Sequence, residues 1–193
     1  MGRLKQLLPV KGKPAVRCCA ETLVAAGIAD IVAVVSAEGD DVAEALNGLP
    51  VRIVRNRNPM SDMAGSVRTG LRALGGGVTG VVVLPADHPL VQPSSIADLL
   101  HEHIFSPRRI ILLLHKGRRG HPTLFPRPVI DETLDGYTLR DVIDRHAGQI
   151  RMIVVDDEGA VLDMDTPPDY ERLLRFAEEG MERGSDLASL ADA

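Results

Sequence analysis

Unbroken apolar runs alternate along this chain with stretches whose apolar positions recur every three or four residues. Ile31-Val32-Ala33-Val34-Val35, Val81-Val82-Val83-Leu84 and Ile110-Ile111-Leu112-Leu113-Leu114 are the unbroken runs. Short runs without polar alternation predict strands buried on both faces. Val51-Arg52-Ile53-Val54 predicts a further short strand. Helices are expected from about residue 14 to Gly27, at 38–47, 64–74, 93–105, 138–146 and 167–179. Val67, Leu71 and Leu74 share one face of the third, and Gly75-Gly76-Gly77 ends it. Residues 116–122 predict a loop. Residues 150–155 and 160–164 predict a hairpin around Asp157-Glu158-Gly159. Strands alternating with helices imply an α/β fold, a mostly parallel sheet covered on both faces. Residues 1–179 are expected to form a single domain. The small, polar tail 180–193 is expected to fray.

The 193 residues suffice for one ordinary domain with a substantial core. Aromatic residues are only 3%, Trp is absent and the net charge is −5. Both features argue against a nucleic-acid partner, which requires stacking rings or excess positive charge. No apolar run approaches the roughly 20 residues that cross a bilayer, and no secretory signal is visible. Cys18 and Cys19 are adjacent in an expected helix and point in different directions. They read as core thiols of a cytoplasmic protein. A monomer is the default expectation.

Chemistry concentrates in a few expected loops and strand ends. Pro85-Ala86-Asp87-His88-Pro89 follows a buried strand, where open α/β sheets bind ligands. Asp87 reads either as a cap for the helix near Pro93 or as a ligand for a hard cation that also takes phosphate oxygens. Lys5 reads as a phosphate contact or as part of a solvated terminus. Asn58, Gly65 and Ser66 lie between a strand and a helix N-terminus. They suit an anionic ligand or an ordinary turn. Arg118, Arg119, Gly120 and His121 form a basic segment ending in Pro122, open to a phosphate or simply solvated. In Leu162-Asp163-Met164-Asp165-Thr166-Pro167-Pro168-Asp169, strand alternation would place Asp163 and Asp165 on one side. Thr166 would then cap a helix.

In this order, these segments resemble the MobA-like nucleotidyltransferases, closest to the molybdenum cofactor cytidylyltransferases. The matching pieces are Met1-Gly2, Lys5 to Pro9, Gly12 to Pro14, Asn58, Gly65-Ser66, Asp87 with Pro89, Gly120-His121-Pro122 and Asp163 to Asp169. The resemblance implies a Rossmann-like three-layer sandwich with a mixed sheet, of the nucleotide-diphospho-sugar transferase type. It implies transfer of CMP from CTP to the phosphate of molybdopterin with release of pyrophosphate, serving xanthine dehydrogenase-type molybdoenzymes. Lys5 would be catalytic and touch phosphates, and Asp87 would be catalytic and hold Mg²⁺. Asp163 or Asp165 would be the second metal carboxylate. Asn58, Gly65 and Ser66 would line the nucleotide pocket, and Arg119, Gly120 and His121 would face the pterin. A molybdoenzyme or insertion chaperone is the implied protein partner.

Two departures from the family pattern shape these expectations. Members carry an apolar strand and a Leu-Ala-Ala-Gly-x-Ser-x-Arg loop ahead of the Met-Gly that is Met1-Gly2 here. The expected sheet therefore lacks its first strand, and the choice between CTP and GTP is weakened. In addition, Asp135 to Arg140 stand where many relatives have Gly-Asp-x-Gly, so no role is assigned there. The alternatives are a nucleotidyltransferase using GTP or a sugar phosphate acceptor, and a non-catalytic module that binds molybdopterin or a partner.

Overall fold

In the computed structural model, residues 4–191 are described. A one-turn 3-10 helix at Lys5–Leu7 leads into a hairpin of β1 (Pro9–Val10) and β2 (Lys13–Pro14). Lys11 and Gly12 turn it with φ of 50° and 75°, the left-handed pair that a two-residue hairpin requires. Then come α1 (Ala15–Ala25), β3 (Ile31–Ser36), α2 (Asp40–Ala45), β4 (Val51–Asn56), α3 (Met63–Ala73) and β5 (Gly80–Val83). The second half holds α4 (Pro93–Phe105), β6 (Ile110–His115), β7 (Arg118–Pro126), α5 (Arg127–Ile130), α6 (Leu139–Arg145), β8 (Ile150–Val154) and α7 (Pro167–Ala191). Helix starts follow local chemistry. Asp62 accepts from the Gly65 N–H at α3, Pro93 opens α4, and Thr138 with Asp141 forms a reciprocal cap at α6. Thr166 and Asp169 do the same at α7. That helix continues to Ala191, past residue 179 where a tail was expected to begin.

The sheet is mixed and comes in two pieces. β3 pairs with β4 in parallel, and a second piece has the order β5-β7-β6-β8. β7 is antiparallel to both β5 and β6, whereas β8 is parallel to β6. Among the described residues, β3 and β5 each keep one edge without a strand partner. Alternation on β6 sorts the core into two layers. Ile110 and Leu112 join Leu71, Phe125, Ile130 and Val142 on one face, while Ile111 and Leu113 join Leu99, Leu124 and Ala160 on the other. The sheet thus lies between α3, α5 and α6 on one side and α4 on the other, a three-layer α/β sandwich. A third cluster, Val10, Ala15, Leu90, Met164 and Leu173, docks α7 onto the β1–β2 hairpin. No helix among the described residues is long and apolar enough to cross a membrane.

Two expectations are corrected. The loop expected at 116–122 shrinks to Lys116-Gly117. Residues 118–126 form β7, because Leu124 and Phe125 bury against β5 and β6 on opposite faces. The hairpin expected at 150–164 is absent: β8 lies beside β6 and residues 158–161 form a 3-10 turn. The reason is tertiary. Asp157 is 1% exposed and its Oδ2 accepts from the Gln92 N–H at 2.9 Å and the Ser95 hydroxyl at 2.7 Å. A buried carboxylate is thereby spent on the N-terminus of α4, where an anion is favourable. Gly159 then crosses so close to Leu90 that an added Cβ would lie 2.1 Å from its carbonyl oxygen.

Gly159→Ala is therefore expected to destabilise the chain by about 1–3 kcal/mol, the range for overpacking a rigid site. Gly148→Ala, with nothing within 4 Å of the added carbon, should change stability by less than about 0.5 kcal/mol. Urea unfolding of both variants checks the contrast.

Candidate active site

Three segments that are distant in sequence meet at the C-terminal end of β5. The chain leaves β5 through Pro85-Ala86-Asp87-His88, a turn closed by the His88 N–H donating to the Pro85 carbonyl at 3.3 Å. This aims the Asp87 carboxylate, 16% exposed, at the 3-10 turn that carries Lys5. The Lys5 ammonium donates to Asp87 Oδ2 at 2.7 Å and to Asp165 Oδ1 at 2.6 Å. Asp165 comes from the stretch between the 158–161 turn and α7. On the other side of Asp87, Oδ1 lies 2.9 Å from His88 Nδ1. The His88 ring in turn meets the His121 ring edge-on, with centroids 4.6 Å apart.

These contacts set the charges. Burial works to raise the Asp87 pKa, but the bonds from His88 and Lys5 outweigh it and hold the carboxyl well below the usual carboxylate range. Burial works against the Lys5 charge, yet bonds to Asp165 and Asp87 prevail, and its pKa rises. Burial and the neighbouring His88 lower His121 to about 4, against the pull of Asp87. His121 is therefore neutral at pH 7, and its buried Nδ1 has no hydrogen-bond partner. Burial likewise holds the Cys19 thiol up, so it is an inert packing group beside the Pro85 carbonyl.

The other sequence-nominated residues sort clearly. Asp163 makes no hydrogen bond or ion pair with Lys5 or Asp87; it borders a small hollow with Arg118, Asp169 and Arg172. The stretch around it is not a strand, so the alternation that paired it with Asp165 does not hold. Asn58 is exposed, its side chain accepts from the Met60 N–H at 3.0 Å, and its own N–H donates to Asn56 Oδ1 at 3.2 Å. The Gly65 N–H is taken by Asp62 at 2.8 Å, and the Ser66 hydroxyl lies 3.3 Å from Asn56 Nδ2. A Cβ on Gly120 would lie 2.6 Å from the Ala160 carbonyl, so this glycine serves close packing. Arg119 is exposed. Two surface hollows, one beside α7 and one around Asp163, contain neither Lys5 nor Asp87. In the larger, Arg172 is paired with Glu158 at 3.1 Å, so the charge cluster marks the site better. His88 had drawn no role from sequence, although it adjoins Asp87 in the motif that stood out.

The oxygens of Asp87 and Asp165 converge on one cationic centre at the rim where α/β sheets bind nucleotides. This arrangement suits phosphate groups and hard cations. Residues 1–150 match the family described as the MobA-like NTP transferase domain. Nicotine blue oxidoreductase from Paenarthrobacter nicotinovorans is 29% identical over 181 residues, covering 88% of this chain and 87% of that protein. The structure of Rv0371c from Mycobacterium tuberculosis H37Rv aligns with a TM-score of 0.76 at 27% identity, covering 91% of both chains. The same mycobacterial protein in complex with manganese aligns at 0.72 and 26% identity, over 90% of this chain and 93% of that one. A nucleotidyl transferase from Methanothermobacter thermautotroptrophicus shares the fold, with a TM-score of 0.79 at 19% identity over 91% of this chain and 86% of that one.

The depressed His121 pKa carries a stability signature. The unfolded chain takes up a proton near pH 6.5, whereas the folded chain resists until about pH 4. The unfolded state binds more protons across that window, so stability is full above pH 6.5 and falls as pH drops toward 4. The loss should reach about 2 kcal/mol between pH 7 and 4.5. His121→Gln should flatten most of it, leaving the smaller slope of His103, which burial also shifts down. Urea unfolding across this range checks it; an equal slope in the variant would refute the assignment.

Proposed function

The chain belongs to the MobA-like NTP transferase family, and on that premise we propose that this nucleotidyltransferase moves CMP from CTP to the phosphate of molybdopterin. The observation that carries the reading is the Lys5 ammonium held between Asp87 and Asp165 at the end of β5. The pterin acceptor rests on the Gly120-His121-Pro122 and Asp163 to Asp169 segments, which resemble the cytidylyltransferase branch. A phosphate oxygen of the acceptor attacks the α-phosphorus of CTP. The bond from that phosphorus to the bridging oxygen of the β-phosphate breaks, and pyrophosphate leaves with the electron pair.

The donor set fits a small divalent cation. Two hard carboxylate oxygens converge, and among the described residues no group of three or more His, Cys, Asp or Glu gathers to complete a closed cage. Mg²⁺ takes one or two carboxylates and leaves its other positions to phosphate oxygens and water. Asp87 and Asp165 would hold it once Lys5 turns from their oxygens to the phosphates, with Asp163 nearby in sequence as the weaker candidate. The bound cation would neutralise charge on the phosphates. The manganese complex of the mycobacterial relative is consistent with such a site. Asp87 stays ionised at any working pH because His88 and Lys5 hold its pKa down. Lys5 donates to phosphate oxygens as negative charge builds on them, and it orients the triphosphate for in-line attack. Asn58, Gly65 and Ser66 border the nucleotide. Neutral His121, with Gly120 and Arg119, faces the acceptor. The name of the Paenarthrobacter relative speaks of oxidoreduction, but oxygen donors around an ammonium favour phosphate chemistry at this cluster. The reading places the protein in the cytoplasm as a monomer that hands its product to a molybdoenzyme or an insertion chaperone.

Calorimetric titration with CTP and GTP, each with and without Mg²⁺, tests the reading. CTP should bind in a Mg²⁺-dependent manner and in preference to GTP. Asp87→Asn should lower CMP transfer to molybdopterin by at least about 100-fold, the scale for losing one transition-state contact. Near-normal turnover in that variant would remove Asp87 from the site. Faster transfer to a sugar phosphate would replace the acceptor, and nucleotide-free binding of molybdopterin without turnover would indicate a binding module.

A further inference from the structure

Each oxygen of the Asp87 carboxylate has a fixed partner. Oδ2 faces the Lys5 ammonium at 2.7 Å, and Oδ1 faces His88 Nδ1 at 2.9 Å. The His88 ring has little freedom to leave. It is 8% exposed, its backbone N–H closes the turn onto Pro85, and its face or edge is met by the His121 ring at an interplanar angle of 66°. A ring nitrogen facing an ionised carboxylate is a donor, whether the imidazole is neutral or charged.

We propose that His88 is a positioning residue that turns Asp87 into a one-oxygen ligand and so sets the preference of the site for small six-coordinate cations over Ca²⁺. This rests on the reading of Asp87 as a cation ligand. A cation that grips both oxygens of a carboxylate would compete with the His88 bond for Oδ1, with the ring packed in place behind it. Mg²⁺ and Mn²⁺ form compact octahedra and accept single oxygens, whereas Ca²⁺ takes more ligands at longer distances and often takes a carboxylate through both oxygens. The hydrogen bond thus disfavours Oδ1 and directs the cation to Oδ2, the oxygen that Lys5 releases when it turns to the phosphates. His88 acts through Asp87 and touches neither nucleotide nor acceptor.

The test uses the full chain and Mn²⁺ alone, with free Mn²⁺ followed by its electron paramagnetic resonance signal and Ca²⁺ added as competitor. His88→Ala and His88→Leu remove the donor, and His88→Leu also keeps the buried volume filled. His88→Asn places an amide nitrogen near the position of the ring Nδ1. The two apolar variants should lose preference for Mn²⁺ over Ca²⁺ by about tenfold, the scale for removing the hydrogen-bond partner of a metal ligand. The Asn variant should keep the wild-type ratio. An unchanged ratio in a folded apolar variant would overturn the inference and leave Asp87 as a ligand. Equal Mn²⁺ binding by Asp87→Asn and wild type, or none by wild type, would overturn the cation reading itself and this inference with it.

Discussion

Two backbone segments must touch for this site to exist, and the residue that allows it is Gly159. The turn after β5 and the segment after β8 approach so closely that a side chain at 159 would collide with the Leu90 carbonyl. Asp157 fixes the same approach by reaching the first turn of α4. Gly120 repeats the device from β7 against the Ala160 carbonyl. These contacts bring the chain from Val155 to Met164 over the C-terminal ends of the strands. Asp165 is then delivered to Lys5 a few residues later. The chemistry at Asp87 is downstream of this packing.

The histidines complete the arrangement from below. His88 lies buried beside Asp87, and His121, from a different strand, packs its ring against it. Because β7 runs antiparallel between β5 and β6, the Gly120-His121-Pro122 segment is carried to the strand end where Asp87 emerges. A parallel strand in that position would have carried it to the opposite end. The antiparallel insertion is therefore the topological fact that joins two motifs separated by more than thirty residues.

Much of this was legible in the sequence, for reasons that are local. The β-branched and aliphatic runs fixed β3, β4, β5 and β6. The Thr166–Asp169 reciprocal cap fixed the start of α7. Asp87 stood out because the strand before it was unmistakable. What local reasoning missed was decided by distant partners. β7 looked like a loop because its first residues are Arg118, Arg119 and Gly120, and only the company of β5 and β6 makes them a strand. The late hairpin failed because Asp157 and Gly159 satisfy α4 and Leu90 instead of each other's strand. Asp163 and Asp165 could not be told apart by spacing, since the stretch between them has no regular period once the hairpin is gone.

The cluster of Lys5, Asp87 and Asp165 makes a poor case for stabilising the fold. Lys5 is one-third exposed and Asp165 is 63% exposed, and an ion pair so open to water contributes about 0–1 kcal/mol. The Asp87 partner is more buried, and burial itself works against its charge. A fold that needed only stability could fill this position with apolar side chains at no loss. Instead it holds a carboxylate ionised with two donors, one of them the Lys5 ammonium. The surrounding glycines and the buried Asp157 supply the rigidity that the ion pairs cannot. Charge that contributes little to stability, held by packing that contributes much, is the division expected where binding a highly charged ligand has shaped the site.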